Sequence, residues 1–275
     1  MTPTPQSTAP QYGEVLDTTW LTPRMVRVRL GGEGLATFEP TAFTDQYVNV
    51  QFPPEGAPYE VPFDVEAARE GEHHPIGRRY TIRSWDPTTR QVTLDFVVHG
   101  DEGVAGPWAI SAAPGDLLQF VGPSGGYAPD PDTDWYLMAG DESALPAIAA
   151  SLEAVPAGKT AMVVVVVDDP EHEIPLESPG EVRIDWVHRQ VTSPRDFNAA
   201  LEIAVAEAFG ALPGTPDVFI HGEAGETRAA KKFLVTARGM DKSDMSASPY
   251  WRRGHDDEAW RAVKRDWLAE AEAEL

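Results

Sequence analysis

The first half of the chain carries short runs in which apolar and polar residues alternate. In MVRVRL, which starts at Met25, every second residue is valine or leucine, and YVNVQF and QVTLDFVVH follow the same rule. Alternation with a period of two predicts β-strands with one buried face. The turn Pro114-Gly115-Asp116 leads into a further run, LLQFVGP. Short strands separated by glycine and proline turns indicate an all-β domain over residues 12–128, an antiparallel barrel or sandwich.

The second half alternates strand-like and helix-like segments. The run AMVVVVV is typical of a strand covered on both faces. A strand, turn and helix are predicted in WYLMAGDESALPAIAASLEAV, where Leu145, Ile148, Ala149 and Leu152 have helical spacing. After EVRIDWV come a helix in DFNAALEIAVAEAFG, a strand in PDVFIHG, a helix in ETRAAKKFLVTARG and a polar connection. Strands alternating with helices predict a doubly wound parallel sheet over residues 133–275, after a linker at 129–132.

The last twenty or so residues predict a C-terminal helix. Asp256 and Asp257 lie near its start, and Trp260, Val263 and Leu268 fall nearly in line along it.

Composition and charge exclude several classes of function. The 275 residues suffice for two domains, and 22 basic against 44 acidic side chains give a net charge of −22. Such a chain lacks the basic face that nucleic acids or anionic membranes require. The absence of cysteine removes disulfides, thiolate metal sites and thiol nucleophiles. With no secretory signal and no apolar run near the ~20 residues of a membrane span, we expect a cytoplasmic, monomeric globular protein.

The strand Arg78-Arg79-Tyr80-Thr81-Ile82-Arg83 carries the most informative chemistry. Arg78 and Tyr80 share one face of a strand, and Thr81 points the other way. An arginine can pair with a pyrophosphate, a tyrosine ring can stack on an isoalloxazine, and a threonine can reach the flavin N5. Arg-x-Tyr-Thr matches the flavin fingerprint of the ferredoxin-reductase-like superfamily. The alternative is a surface strand with an aromatic plug.

A glycine-rich turn follows the predicted strand QVTLDFVVH. His99 is followed by a glycine-rich turn and a short helix, from Gly103 through Val104 and Ala105 to Trp108, whose backbone N–H groups suit a diphosphate. His99 is a candidate to face the flavin or the phosphates, or a strand-end histidine bonded to backbone.

The turn Gly140-Asp141-Glu142-Ser143 stands where a doubly wound sheet holds a nicotinamide coenzyme. It lacks the G-x-G-x-x-G pattern, and Asp141 or Ser143 could instead cap the helix. Asp168 and Asp169 follow the second strand, where an acidic residue favours a ribose hydroxyl and therefore NADH over NADPH. The alternative role of these aspartates is to cap a turn.

Taken together, these segments resemble the siderophore-interacting protein family of FAD-dependent ferric-siderophore reductases. The resemblance covers TPRMVRVRLGGEGLATF, RRYTIR, DFVVHGDEGVAGPWAISAAPGD, AGDESALPAIAASLEAVP and SPYWRRG. It implies a flavin held by Arg78, Tyr80 and Thr81, an FAD diphosphate on the 103–108 loop, and NADH or NADPH at the 140–146 turn. Tyr250 and Trp251 would line the flavin or substrate side, unless they are core residues.

The chain departs from the family pattern at two positions. Gly106 stands where members of the family carry serine or threonine, and Asn49 replaces a lysine that many of them have. If that lysine helps to hold an anionic chelate, this protein uses either other cations or a less anionic substrate, and Arg83, Arg252 and Arg253 are the candidate cations. Basic side chains exceed acidic ones between Glu226 and Arg265, although each could belong to a solvated helix face. The basic residues there are Arg228, Lys231, Lys232, Arg238, Lys242, Arg252, Arg253, Arg261, Lys264 and Arg265.

The resemblance therefore implies an oxidoreductase that takes hydride from NAD(P)H onto FAD and reduces siderophore-bound Fe(III), which releases the iron. No general acid or base and no structural metal are expected; His73-His74 are the nearest pair of possible ligands. One alternative is a flavin reductase that delivers electrons to a protein partner. Another is a non-catalytic protein that binds a ferric siderophore.

Overall fold

The computed structural model describes residues 10–100, 103–191 and 197–275. The chain divides between Gly125 and Gly126 into two compact units, each with its own internal contacts. None of the helices among the described residues is long and apolar enough to cross a membrane.

The first unit is a closed six-stranded antiparallel barrel with strand order β1-β2-β5-β4-β3-β6. Of the two architectures that the alternating pattern allowed, a barrel or a sandwich, the structure has the barrel. Strand β1 pairs with both β2 and β6, so the sheet has no open edge. The elements are β1 (Gln11–Thr22), β2 (Met25–Gly31), β3 (Tyr47–Phe52), α1 (Val65–Glu70), β4 (Ile76–Asp86), β5 (Gln91–Val97), α2 (Ala105–Ser111) and β6 (Leu117–Ser124).

The barrel core follows the alternation of the sequence. Val26, Val28 and Leu30 on β2 are buried and lie opposite buried residues of β5. On the outer face of the same pair, Arg27 Nε donates to Asp95 Oδ1 at 2.7 Å, which fixes the register by charge as well as by burial. Strand β1, which the alternation did not predict, and helix α1, which begins at the Asp64 cap, add to the predicted elements.

The second unit is a five-stranded parallel sheet with strand order β11-β10-β7-β8-β9 and helices between the strands. The apolar run of β8 is buried on both faces, as predicted, and Leu145, Ile148, Ala149 and Leu152 bury one side of α3. The elements are β7 (Trp135–Asp141), α3 (Leu145–Glu153), β8 (Thr160–Val167), β9 (Glu181–His188), α4 (Phe197–Gly210), β10 (Pro216–Glu223), α5 (Ala224–Arg238), β11 (Met245–Trp251) and α6 (Asp257–Glu272).

Two details of the second unit differ from the sequence prediction. The segment taken as a polar connection contains β11, whose MSASPYW pattern lacks an apolar run because β11 is the edge strand beside β10. Helix α6 forms as predicted. Of the three residues expected in line, Trp260 is buried and lies against Trp267 with ring centroids 5.6 Å apart, whereas Val263 is exposed.

Candidate functional site

In the barrel, strand β4 places Tyr80 against the core. The ring of Tyr80 lies 4.2 Å from that of Phe96, centroid to centroid, at an interplanar angle of 38°, and the side chain is half-buried. Arg78 is also half-buried, and its guanidinium donates to the Gly77 carbonyl at 2.9 Å. Thr81 is 9% exposed. Tyr80 is thus supported on one side by the core while part of its ring stays accessible.

The 103–108 segment joins the same aromatic cluster. Gly103 has φ +80°, a conformation that favours glycine, and it leads into α2. Helix α2 places Trp108 with its ring centroid 5.6 Å from that of Phe96, and Val104 packs on the barrel core beside the buried Ala105. Tyr80 and Trp108 therefore contact one shared ring, so the structure brings together the two segments that the sequence assigned to the flavin.

The remaining barrel candidates occupy separate positions. His99 follows the end of β5 and is exposed, while Arg83 lies on β4 beyond Thr81 and is half-buried. A Cβ added at Gly106 would meet only Val98 Cγ1, at 3.9 Å. Asn49 pairs with Arg79 across β3 and β4, and its Oδ1 is buried without a hydrogen-bond partner among the described residues.

In the second unit, Asp141 ties together the carboxyl ends of three strands. Its Oδ2 accepts from the Glu223 amide at 2.8 Å and from Trp251 Nε1 at 2.7 Å, and its Oδ1 accepts from the amide and hydroxyl of Ser143. Asp141 ends β7, Glu223 ends β10 and Trp251 ends β11. The Asp141 carboxylate is therefore satisfied within the protein, and Ser143 acts as its partner at the turn into α3.

A buried arginine holds the neighbouring carboxylates. Arg189 Nη1 donates to Glu142 Oε1 at 2.6 Å and to Asp168 Oδ1 at 3.2 Å. Burial disfavours the Arg189 cation, but the Glu142 carboxylate outweighs it, and the pKa of Arg189 is held above its usual range. Asp168, which the sequence suggested for a ribose hydroxyl, is thus paired with a cation. Asp169 instead caps the turn after β8 and contacts His172 Nδ1 at 2.8 Å.

Two glutamates at the start of α5 bind the segment after β11. Glu223 Oε2 accepts from the Gly225 and Glu226 amides at 2.6 and 3.0 Å, and Glu223 Oε1 accepts from the Arg253 amide at 3.0 Å. The Arg253 guanidinium donates to Glu226 Oε1 at 2.8 Å and lies 5.9 Å from the centre of the Trp251 ring.

The sequence reasoning missed Arg189, Glu223 and Glu226 as members of this edge. Only the position of Glu223 at a strand-to-helix turn gave a usable signal.

Tyr250 packs beside a buried histidine. His221 and Tyr250 have ring centroids 5.0 Å apart, and His221 Nε2 is 2.9 Å from the Ser246 hydroxyl. Burial lowers the pKa of His221 to about 3, so its ring is neutral at physiological pH. Tyr250 and Trp251 are both half-buried, which places them in the packing of the sheet edge without removing them from solvent.

Arg252 and Arg253 border a cleft on the second unit. The cleft has a volume of about 780 Å³, and Arg228 and Lys232 of α5 also line it. Glu272, the last residue of α6, and Glu274 just after it neutralise several cations of this region. Arg228 pairs with Glu274, Lys231 and Lys242 pair with Glu272, and Lys232 lies 3.4 Å from Glu274. The predicted local excess of positive charge is therefore largely balanced within the unit.

Two family models match the two halves of the chain in succession. Residues 14–127 match the siderophore-interacting FAD-binding domain, and residues 133–254 match the siderophore-interacting protein model. The chain belongs to the siderophore-interacting protein family. Its resemblance to that family, drawn from the sequence, is thereby confirmed.

Curated relatives of this family member span nearly the whole chain. An uncharacterized protein of Mycobacterium tuberculosis is 42% identical over 94% of this chain and 96% of its own length. The ferric vibriobactin reductase ViuB of Vibrio cholerae is 33% identical over 88% of this chain and 89% of its own length.

Solved structures agree with the fold. The siderophore-interacting protein SipS from Aeromonas hydrophila superposes with a TM-score of 0.79 at 27% identity, over 95% of this chain and 99% of its own. A ferredoxin NADP+ reductase from Neisseria gonorrhoeae, 14% identical, superposes with a TM-score of 0.62 over 88% of this chain and 99% of its own. At that identity the likeness shows only the ferredoxin-reductase-like fold, which confirms the predicted class of a barrel followed by a parallel α/β sheet.

Proposed function

We propose that this protein is an FAD-dependent ferric-siderophore reductase that uses NAD(P)H as the electron donor. The observation that carries the proposal is the match of both halves to the two siderophore-interacting models, together with 33% identity to a protein named ferric vibriobactin reductase. The cofactor and substrate follow from those names and from the residues at the barrel and at the sheet edge. Residues 12–128 would form the FAD domain and residues 133–275 the NAD(P)H domain.

The barrel residues fit a flavin. Tyr80 offers a ring that is backed by Phe96 and only half-buried, as stacking on a planar heterocycle requires. Nothing approaches the position of a Cβ at Gly103, and only Val98 approaches that of Gly106, so there is room beside the backbone of this segment for a diphosphate. Arg78 supplies a cation on the same strand as Tyr80.

Bound FAD would supply the redox chemistry, which is acceptance of a hydride from NAD(P)H and transfer of single electrons to Fe(III). The chain itself binds and orients. Tyr80 and Thr81 hold the ring system, while Arg78 and the amides of 103–108 hold the diphosphate. The carboxyl edge of the parallel sheet, which Asp141 keeps rigid, receives the coenzyme. Siderophores are hard-oxygen ligands that hold Fe(II) far less tightly than Fe(III), so the chain needs no general acid or base to release iron.

The sheet edge favours NADH over NADPH in this proposal. Asp168 follows β8, where its carboxylate suits ribose hydroxyls and repels a 2′-phosphate, although Arg189 partly offsets its charge. We expect Asp168→Asn to raise kcat/KM for NADPH relative to NADH several-fold. Asp169→Asn removes the same charge one residue further on and should leave the ratio unchanged. Steady-state rates with both coenzymes decide, and an unchanged ratio in Asp168→Asn would refute this assignment.

The candidate substrate residues are Arg83 on the barrel and Arg252 and Arg253 after β11. Arg252 and Arg253 lie at the border of the cleft on the second unit, where a chelate of negative charge would meet cations. With Asn49 in place of lysine, these arginines carry the electrostatic recognition.

An absorption spectrum of the purified protein, followed by anaerobic titration, tests the proposal. We expect visible flavin bands that bleach on adding NADH and return on adding a ferric siderophore. Bands that return only with a protein acceptor would favour the electron-transfer alternative. A colourless chain that binds ferric siderophore and cannot be reconstituted with FAD would refute the enzyme and favour a binding protein.

A further inference from the structure

Glu226 is a buried carboxylate that the proposed reaction does not use. Its side chain is 1% exposed, near the start of α5. Oε1 accepts from Arg253 Nη2 at 2.8 Å, while Oε2 is buried with no hydrogen-bond partner among the described residues. Glu223, not Glu226, caps the helix. A buried carboxylate with one unsatisfied oxygen is costly to the fold, so its role requires an explanation.

Charged groups from three strand ends face Glu226. Asp141 approaches it from the end of β7, Arg189 from the turn after β9 and Arg253 from the segment after β11, while Glu223 lies one turn away. Arg189 is itself shared with carboxylates, Glu142 and Asp168. Burial and then repulsion by Asp141 raise the pKa of Glu226 to about 7, although the two arginines oppose the shift.

The backbone of Arg253 is anchored by a hydrogen bond, whereas its side chain is partly exposed. Its amide donates to Glu223, which anchors the main chain, while its side chain is 40% exposed against the buried Glu226. Arg253 also borders the cleft that Arg252 lines. An anion in that cleft can therefore draw the guanidinium toward itself without moving β11.

We propose that Glu226 is a proton-linked positioning residue for Arg253. It holds the guanidinium when no substrate is present, and it takes up a proton from solvent when an anionic ferric chelate engages Arg253. The inference rests on the proposed function, since it takes the chelate as the ligand of Arg253. The step is a proton transfer: an O–H bond forms on the Glu226 carboxylate, and no electron is exchanged.

Electrostatics couples the two events. When a bound anion draws the Arg253 guanidinium away, an ionised Glu226 would remain buried beside Asp141 with only Arg189 to compensate its charge. Protonation of Glu226 therefore becomes more favourable when the anion binds. By reciprocity, a proton already on Glu226 strengthens binding of the anion. Affinity for an anionic chelate should therefore rise as the pH falls. At pH values above the pKa of Glu226 in the free protein, the gain should be up to about tenfold per pH unit.

Isothermal titration of the FAD-loaded protein measures this coupling directly. The probe is a trianionic ferric tris(catecholate), titrated at about pH 8 in two buffers of different ionisation enthalpy, so that proton uptake appears as the difference in heat. We expect net uptake that Glu226→Gln reduces by up to one proton. The same variant should bind at least as tightly as the wild type at high pH, with a flatter pH dependence. Glu177→Gln, which removes an exposed carboxylate, is the matched control and should behave as the wild type.

A neutral chelate and a second variant test whether the proton uptake depends on the charge of the ligand and on Glu226. A neutral ferric tris(hydroxamate) should show little Glu226-dependent uptake, because it has no charge with which to draw Arg253 away. If Glu226→Gln does not fold, Glu226→Asp keeps an acid and should shift the pH profile rather than abolish it. Equal uptake and equal profiles in the wild type and the variants would overturn the inference and leave the proposed function standing. Absence of chelate binding at every pH would overturn both.

Discussion

Tyr80 serves the core and the candidate flavin site with one ring. Phe96 supports it at 4.2 Å and also supports Trp108, so the segment after β5 and the strand β4 share a single aromatic base. An aromatic platform held in this way is ordered before a ligand arrives. Binding then does not have to restrict the ring, which lowers the entropic cost of association.

Removing the Tyr80 ring should weaken FAD retention. Tyr80→Ala loses an aromatic stacking interaction of about 1 kcal/mol and some of the platform, so we expect the FAD dissociation constant to rise roughly tenfold. Quenching of flavin fluorescence measures it. Trp20→Ala, at a ring 52% exposed on β1, is the control. A Tyr80→Ala protein with full flavin occupancy and unchanged affinity would contradict the stacking role.

Gly106 offers the opposite test, a gain of affinity. The space beside it accepts a side chain, because the nearest atom to a built Cβ is 3.9 Å away. Gly106→Ser should add one hydroxyl bond to the FAD diphosphate and tighten binding about tenfold or more, since hydrogen bonds to charged groups contribute about 1.5–3 kcal/mol. Gly106→Ala separates the hydroxyl from the gain in helix propensity. If both variants bind FAD equally well, the hydroxyl makes no contact.

At the scale of secondary-structure elements, Asp141 joins β7, β10, β11 and the start of α3. Asp141→Asn places an amide donor where the carboxylate meets only donors, so at least one bond to Ser143, Glu223 or Trp251 fails. We expect a loss of about 2–3 kcal/mol in unfolding free energy. Urea unfolding followed by circular dichroism measures it. Asp132→Asn, at an exposed position, should change stability little, and equal stability of the two variants would remove Asp141 from this role.

The elements that sequence could predict are those whose signal is local. The alternation in β2, β3 and β5 and the apolar run in β8 each depend on burial of that segment's own side chains. Strand β11 has no such signal, because its place is set by parallel pairing with β10. The same distinction applies to the candidate site. The Arg-x-Tyr-Thr strand has a local sequence pattern, whereas the pairing of Arg189 with Glu142 joins residues 47 apart in the chain and leaves no such pattern.

At the scale of the whole molecule, the net negative charge of the chain opposes association with an anionic substrate. A chain of net charge −22 repels an anionic chelate, and most cations of α5 are already paired. Glu272 pairs with Lys231 and Lys242, and Glu274 pairs with Arg228 and Lys232. Glu272 and Glu274 therefore reduce the positive charge that this region of the second unit presents to solvent.

Releasing those cations should speed association with an anionic chelate. We expect the double variant Glu272→Gln/Glu274→Gln to bind a ferric tris(catecholate) several-fold faster at low ionic strength, because steering acts on the association rate. The gain should vanish at high salt, where the Debye length shortens. Stopped-flow mixing across a salt series measures it. Glu55→Gln/Glu177→Gln removes the same two charges from exposed positions that belong to neither α5 nor α6, so it separates local steering from net charge. Equal acceleration in the two double variants would show that only the total charge matters, and that the pairing of α6 with α5 does not govern capture of the substrate.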